Sequence, residues 1–202
     1  MIAIIDYGAG NLFSVKNALD YLHVANRITD NPQELAAADG LILPGVGAFR
    51  DAMTMLNDSG FTPVIKEQVA AGKPLLGICL GMQMLFEKGY EFGETDGLGL
   101  IPGCVQLIDG GGLKIPHMGW NDLTLLHQCP LSADIANGDY VYFVHSYRAE
   151  TRDAYISCYT MYNEKIPALV FRDNVYGAQF HPEKSGQVGM DILKNFAKLV
   201  TT

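Results

Sequence analysis

The chain has 202 residues, 49% of them hydrophobic and 18% charged, which is enough apolar material for one core and far from the composition of a disordered chain. A formal net charge of -8 without clustered Lys or Arg argues against a surface that tracks nucleic-acid phosphates. No apolar run approaches the roughly 18 residues of a membrane span, no segment reads as a signal peptide, and the four cysteines form no C-x-x-C pair, so a soluble, cytoplasmic protein without disulfides, structural zinc or membrane contact is expected.

Residues 1–6 are a β-prone run that ends at Gly8, Gly10 and Asn11, which predicts a buried strand and a turn. Leu12, Val15, Leu19 and Leu22 then recur at helical spacing, residues 27–29 are a short strand candidate, and Asn31-Pro32 opens a helix through Leu35. Residues 40–45 form the next strand, and its Gly-rich end, Pro44 to Gly47, runs into a helix with Phe49, Met53 and Leu56 on one face. A helix over 62–71, a strand over 75–78 and a helix over 80–86 follow. Apolar strands alternating with helices predict a parallel sheet covered on both faces.

After Gly89 the chain turns to Gly-rich loops and short strands, at 105–108, 122–126, 140–147, 154–160, 168–172 and 175–180, with Asp173-Asn174 as a tight turn. A helix over 187–200 ends the pattern, with Val188, Ile192, Leu193, Phe196 and Leu199 inward. No linker or repeat interrupts it, so residues 1–202 read as one domain.

Cys79 lies in Gly77-Ile78-Cys79-Leu80-Gly81, where a strand passes directly into a helix. That is the pattern of a nucleophile elbow: glycines two residues to either side relieve crowding, and a helix N-terminus favours the thiolate. By itself the motif also fits a buried cysteine, which is the reading given to Cys104, Cys129 and Cys158. His181-Pro182-Glu183 ends a strand; extended backbone at His181 would set the imidazole and the carboxylate on one side, so that Glu183 orients the ring. A metal site from His117, His145 and His181 lacks the spacing of H-E-x-x-H or any equivalent pair.

Taken together, Cys79 in its glycine frame, the distant His-Pro-Glu and the Gly-rich turn after an earlier strand resemble the class I triad glutamine amidotransferases. Asp6 to Asn11, Pro44 to Phe49, Pro116 to Asn121 and His145 to Tyr147 extend the resemblance over essentially the whole chain, towards the members of that family that serve histidine biosynthesis. The resemblance implies a three-layer, flavodoxin-like, mixed and mostly parallel sheet with helices on both faces. It implies Cys79 as nucleophile, His181 as acid and base and Glu183 as orienter, with an oxyanion held by backbone N-H groups of Leu80 and of Val46 or Gly47. Glutamine would be bound by Gly45, Gly47, Gln83, Glu91, His145, Ser146 and Tyr147. No cofactor is implied. Trp120, Tyr142 and Lys184 would face a heterodimeric partner, a cyclase with a (β/α)₈ barrel that makes imidazole glycerol phosphate; Trp120 equally fits a core position. The glycines of the 45–47 segment would let the oxyanion hole form only when partner and acceptor are bound.

Overall fold

The computed structural model describes residues 1–200. Its first half runs β1 (Ile2–Ile5), α1 (Leu12–Tyr21), β2 (Asn26–Thr29), α2 (Pro32–Ala37), β3 (Gly40–Gly45), α3 (Phe49–Asp58), α4 (Phe61–Ala70), β4 (Leu75–Cys79) and α5 (Leu80–Gln83). The second half holds β5 (Phe86–Gly89), β6 (Thr95–Asp96), β7 (Ile101–Leu107), β8 (His117–Asp122), β9 (Thr124–Leu125), β10 (Tyr140–His145), β11 (Tyr147–Glu150), β12 (Ile156–Tyr162), β13 (Glu164–Arg172), β14 (Val175–Ala178) and α6 (Gly186–Val200).

Eight strands form one sheet in the order β2-β1-β3-β4-β14-β13-β12-β9. The first five are parallel and the last three antiparallel, so the sheet is mixed and mostly parallel, with the flavodoxin-like order in its parallel part. Alternation along each strand builds two cores. Ile2, Ile4, Ile42 and Ile78 pack with Val15 and Leu19 of α1 and Ile192 and Phe196 of α6, whereas Ala3, Ile5, Leu41 and Leu43 pack with Leu35, Met53, Leu56 and Ile65 of α2, α3 and α4. Strands covered on both faces have no polar side to present, which is why they read as continuous apolar runs. Two smaller sheets, β11-β7-β5-β6 and β10-β8, lie at the second half.

Several boundaries differ from the sequence expectation. The helix expected over 80–86 is the single turn α5, and Phe86 begins β5; Met84, Leu85 and Phe86 are all fully buried, so hydrophobicity carries no period there to tell helix from strand. The strand expected over 140–147 breaks at Ser146 into β10 and β11, which pair with different partners. Residues 122–126 divide between β8 and β9. Cys104 is only half-buried, on a β7 with one open face, while Cys129 and Cys158 are buried as expected. The Asp173-Asn174 turn joins β13 to β14, with Arg172 paired to Val175. Among the described residues no helix is long and apolar enough to cross a membrane.

Candidate active site

The parallel strands deliver Gly45 and Cys79 side by side as partners at the ends of β3 and β4. Cys79 has φ 55° and ψ -113°, a conformation that side chains with a Cβ rarely adopt and that costs about 1–3 kcal/mol. The surroundings hold it there. A Cβ on Gly77 would lie 2.6 Å from the Gly81 carbonyl oxygen, and one on Gly81 would collide with the Leu43 carbonyl, so both glycines are required for α5 to lie against β3 and β4. With only four residues, α5 has far less helix behind the thiol than the expected 80–86.

His181 is buried near that thiol, and its Nδ1 lies 2.8 Å from Glu183 Oε1; Cys79 Sγ itself lies 3.9 Å from the Val144 carbonyl oxygen. His181 is extended as expected, but Pro182 to Lys184 form a 3-10 turn rather than extended chain. Proline's fixed φ suits the first position of such a turn, and the turn still brings Glu183 back to the ring. Burial pushes the imidazole down, yet the Cys79 thiol and the Glu183 carboxylate outweigh it and lift His181 to about 9. The Glu183 side chain is fully buried; Oε1 also accepts from Asn11 Nδ2 at 3.0 Å, and Oε2 has no partner. Ser185 ties the segment down: its hydroxyl donates to the His181 carbonyl at 2.6 Å and accepts from Tyr142 N at 3.0 Å.

A cavity of about 440 Å³ joins these groups, and of the residues expected around glutamine Gly47, Gln83, Glu91, His145, Ser146 and Tyr147 line it. Val46, Leu80 and Lys184 also line it, as do Pro116 and Val144, for which no site role was expected. Gly45 is buried behind the cavity wall. Trp120 and Tyr142 lie outside it, edge to face on neighbouring strands with centroids 6.2 Å apart, and Trp120 is 55% exposed rather than part of the core.

Residues 3–200 match the family model for glutamine amidotransferase class-I. The chain belongs to the class-I glutamine amidotransferases. It is 50% identical over 201 residues to the imidazole glycerol phosphate synthase subunit HisH of Listeria monocytogenes serotype 4b (strain CLIP80459), covering 99% of this chain and 96% of that one. To the HisH subunit of Streptococcus mutans serotype c it is 53% identical over 200 residues, 98% of this chain and 99% of that one. A solved glutamine amidotransferase shares the fold at a TM-score of 0.78 and 18% identity, over 100% of this chain and 99% of that one.

In this amidotransferase the polar groups of the cavity are themselves fixed. Gln83 Nε2 donates to the Tyr147 carbonyl at 2.9 Å and to Gln179 Oε1 at 3.0 Å; with both N-H groups used, the amide retains only Oε1, an acceptor, for a ligand. Glu91 Oε2 accepts from Phe49 N at 2.7 Å and so caps α3, whose own N-cap residue Ala48 cannot. Asn11, which the sequence placed only in a turn and in a family-like stretch, and Gln179 and Ser185 were given no site role, and nothing local to any of them signals its partner. Among the described residues no group of three or more His, Cys, Asp or Glu could hold a metal ion; His117 and His145 instead bond each other at 2.9 Å.

Proposed function

We propose that this amidotransferase hydrolyses glutamine to glutamate and ammonia through a thioester on Cys79 and passes the ammonia to a cyclase that makes imidazole glycerol phosphate in histidine biosynthesis. The observation that carries the reading is that Cys79 and His181 line one amino-acid-sized cavity, with Glu183 hydrogen-bonded to the imidazole from behind. Identity of about half to HisH subunits along the full length supports the acceptor. Such an enzyme works in the cytoplasm.

The thiolate of Cys79 attacks the carboxamide carbon, and the carbonyl oxygen takes the negative charge, facing backbone N-H groups of Leu80 and of Val46 or Gly47. The His181 imidazolium gives its proton to the nitrogen as the C-N bond breaks and ammonia leaves. His181, now neutral, removes a proton from water as it attacks the thioester; the C-S bond breaks, the thiolate-imidazolium pair is restored, and the released γ-carboxylic acid gives its proton to solvent to become glutamate. Glu183 holds the ring in the required orientation throughout. Gln83 Oε1 and Glu91 are acceptors suited to the α-ammonium of glutamine, and the 145–147 turn offers backbone groups to its carboxylate.

Free ammonia is mostly protonated at neutral pH and then no longer nucleophilic, so a covered transfer favours a bound partner. The β8-β10 sheet exposes Met118, Trp120 and Tyr140 around Tyr142, with Lys184 close by at the cavity wall, a face suited to the rim of a (β/α)₈-barrel cyclase in a heterodimer. Glutamate release is measured with cyclase and acceptor present, for the native chain and for Cys79→Ala. The native complex releases glutamate and the variant does not; release that survives Cys79→Ala, or no release by the native complex, overturns the reading.

A further inference from the structure

A hydrogen-bonded chain runs from the cavity through two buried histidines to the β8 strand. His145 Nδ1 lies 2.8 Å from the Tyr147 carbonyl oxygen, His145 Nε2 lies 2.9 Å from His117 Nδ1, and His117 Nε2 lies 3.3 Å from Asn121 Nδ2. The ends dictate where the protons sit. A carbonyl only accepts, so His145 Nδ1 carries the hydrogen; the neutral ring then offers Nε2 as acceptor, and His117 Nδ1 must donate to it. That leaves His117 Nε2 to accept from Asn121, whose amide nitrogen is identified by its second bond, 3.2 Å to the Met161 carbonyl. Burial keeps both rings neutral, pushing His117 to about 4 and His145 to about 3. The His117 ring is held in place by stacking on Tyr162 and Phe143, with centroids 4.1 and 4.7 Å away.

The Tyr147 carbonyl receives both His145 and Gln83. In the opposite tautomer His145 would turn a lone pair towards that carbonyl, and the Tyr147–Arg148 peptide, which also receives the Gln83 amide, would lose one of its two donors. We propose that His117 is a positioning residue for glutamine: by fixing His145 as the Nδ1-H tautomer it holds the Tyr147 carbonyl, and through it Gln83 and Ser146, in the arrangement the substrate meets. The inference rests on the glutaminase reading of the cavity. His117 itself does not line the cavity.

The test compares His117→Phe, which keeps a stacked ring but has no donor, with His117→Asn, whose amide can place an N-H near the former Nδ1. With cyclase and acceptor saturating, His117→Phe raises the KM for glutamine about tenfold, the scale of one lost hydrogen bond, and changes kcat by less than about threefold. His117→Asn brings KM back to within about threefold of native, the scale of a partly restored bond. In parallel, ¹⁵N NMR of the histidine-labelled native chain at neutral pH finds both rings as Nδ1-H tautomers, and His145 gains the Nε2-H form in His117→Phe. An Nε2-H ring at His145 in the native chain overturns the proposal whether or not the variants fold. So does an unchanged KM in His117→Phe, or a loss confined to kcat. A native complex that releases no glutamate sinks the glutaminase reading itself, while the NMR result still decides the tautomer.

Discussion

Asn11 donates its amide to the same Glu183 oxygen that receives His181 Nδ1, although the two residues are 172 positions apart. The carboxylate therefore has two donors on one oxygen and none on the other. Asn11 stands just before α1, outside the cavity lining, so it acts through Glu183. Asn11→Ala lowers kcat about tenfold, the scale of one hydrogen bond to a charged group, and leaves the KM for glutamine unchanged. Asn11→Asp, which sets a second carboxylate against the first, lowers kcat further. Steady-state kinetics with the cyclase bound checks both.

Cys79 holds its strained backbone whichever side chain with a Cβ it carries. Cys79→Gly and Cys79→Ala both lose the thiol and all turnover, but only glycine accepts φ 55° and ψ -113° without strain. Cys79→Gly is therefore more stable than Cys79→Ala by about 1 kcal/mol, or about 2–4 °C in Tm. Calorimetry of the two variants measures the difference, and equal stabilities would show that the elbow stores no strain.

His181 is raised from 6.5 to about 9 by pairing with Cys79 and Glu183 against the downward push of burial. A group whose folded value is raised stabilises the fold fully below 6.5 and loses that contribution as pH rises through about 9. In the proposed mechanism the imidazolium is also the proton donor to departing ammonia. Glutaminase kcat accordingly falls on the alkaline side near pH 9, and Glu183→Gln moves that fall to lower pH. A kcat profile measured from neutral to pH 10.5 decides it.

His117 and His145 have the opposite sign. Burial lowers them from 6.5 to about 4 and about 3, so below 6.5 the unfolded chain binds protons that the folded chain refuses. Stability is lost as pH falls through that window, by about 1.4 kcal/mol per pH unit for each histidine once the unfolded ring is protonated. Urea unfolding between pH 7 and 4.5 measures the slope, and His117→Phe makes it shallower by one proton.

Gly47 has φ 96° with open space where a Cβ would stand, and Val46 beside it is 46% exposed. This end of β3 has little to hold one peptide orientation, which supports an oxyanion hole completed by partner and acceptor. The isolated chain then releases glutamate at least about a hundredfold more slowly than the loaded complex, on the scale of one missing oxyanion donor. Equal rates would remove this form of control.

The sequence by itself determined the central parallel strands β1, β3 and β4, because strands buried on both faces read as continuous apolar runs, whereas the edge strand β2 is mixed and half exposed. It also offered Cys79 and His181-Pro182-Glu183 as candidate reacting groups, but only in combination, since a thiol between two glycines fits a buried cysteine as well and an imidazole two residues from a carboxylate fits a surface turn. Only the tertiary structure decided the end of α5, where three consecutive buried residues erase the period, and the break at Ser146, where one apolar run serves two sheets. It alone decided that Asn11 serves Glu183, that Gln179 and Tyr147 orient Gln83, and that His117 faces His145. Hydrophobic spacing reports which way a side chain points within its own element, whereas the partner of a buried polar group depends on which distant strand the sheet order sets beside it.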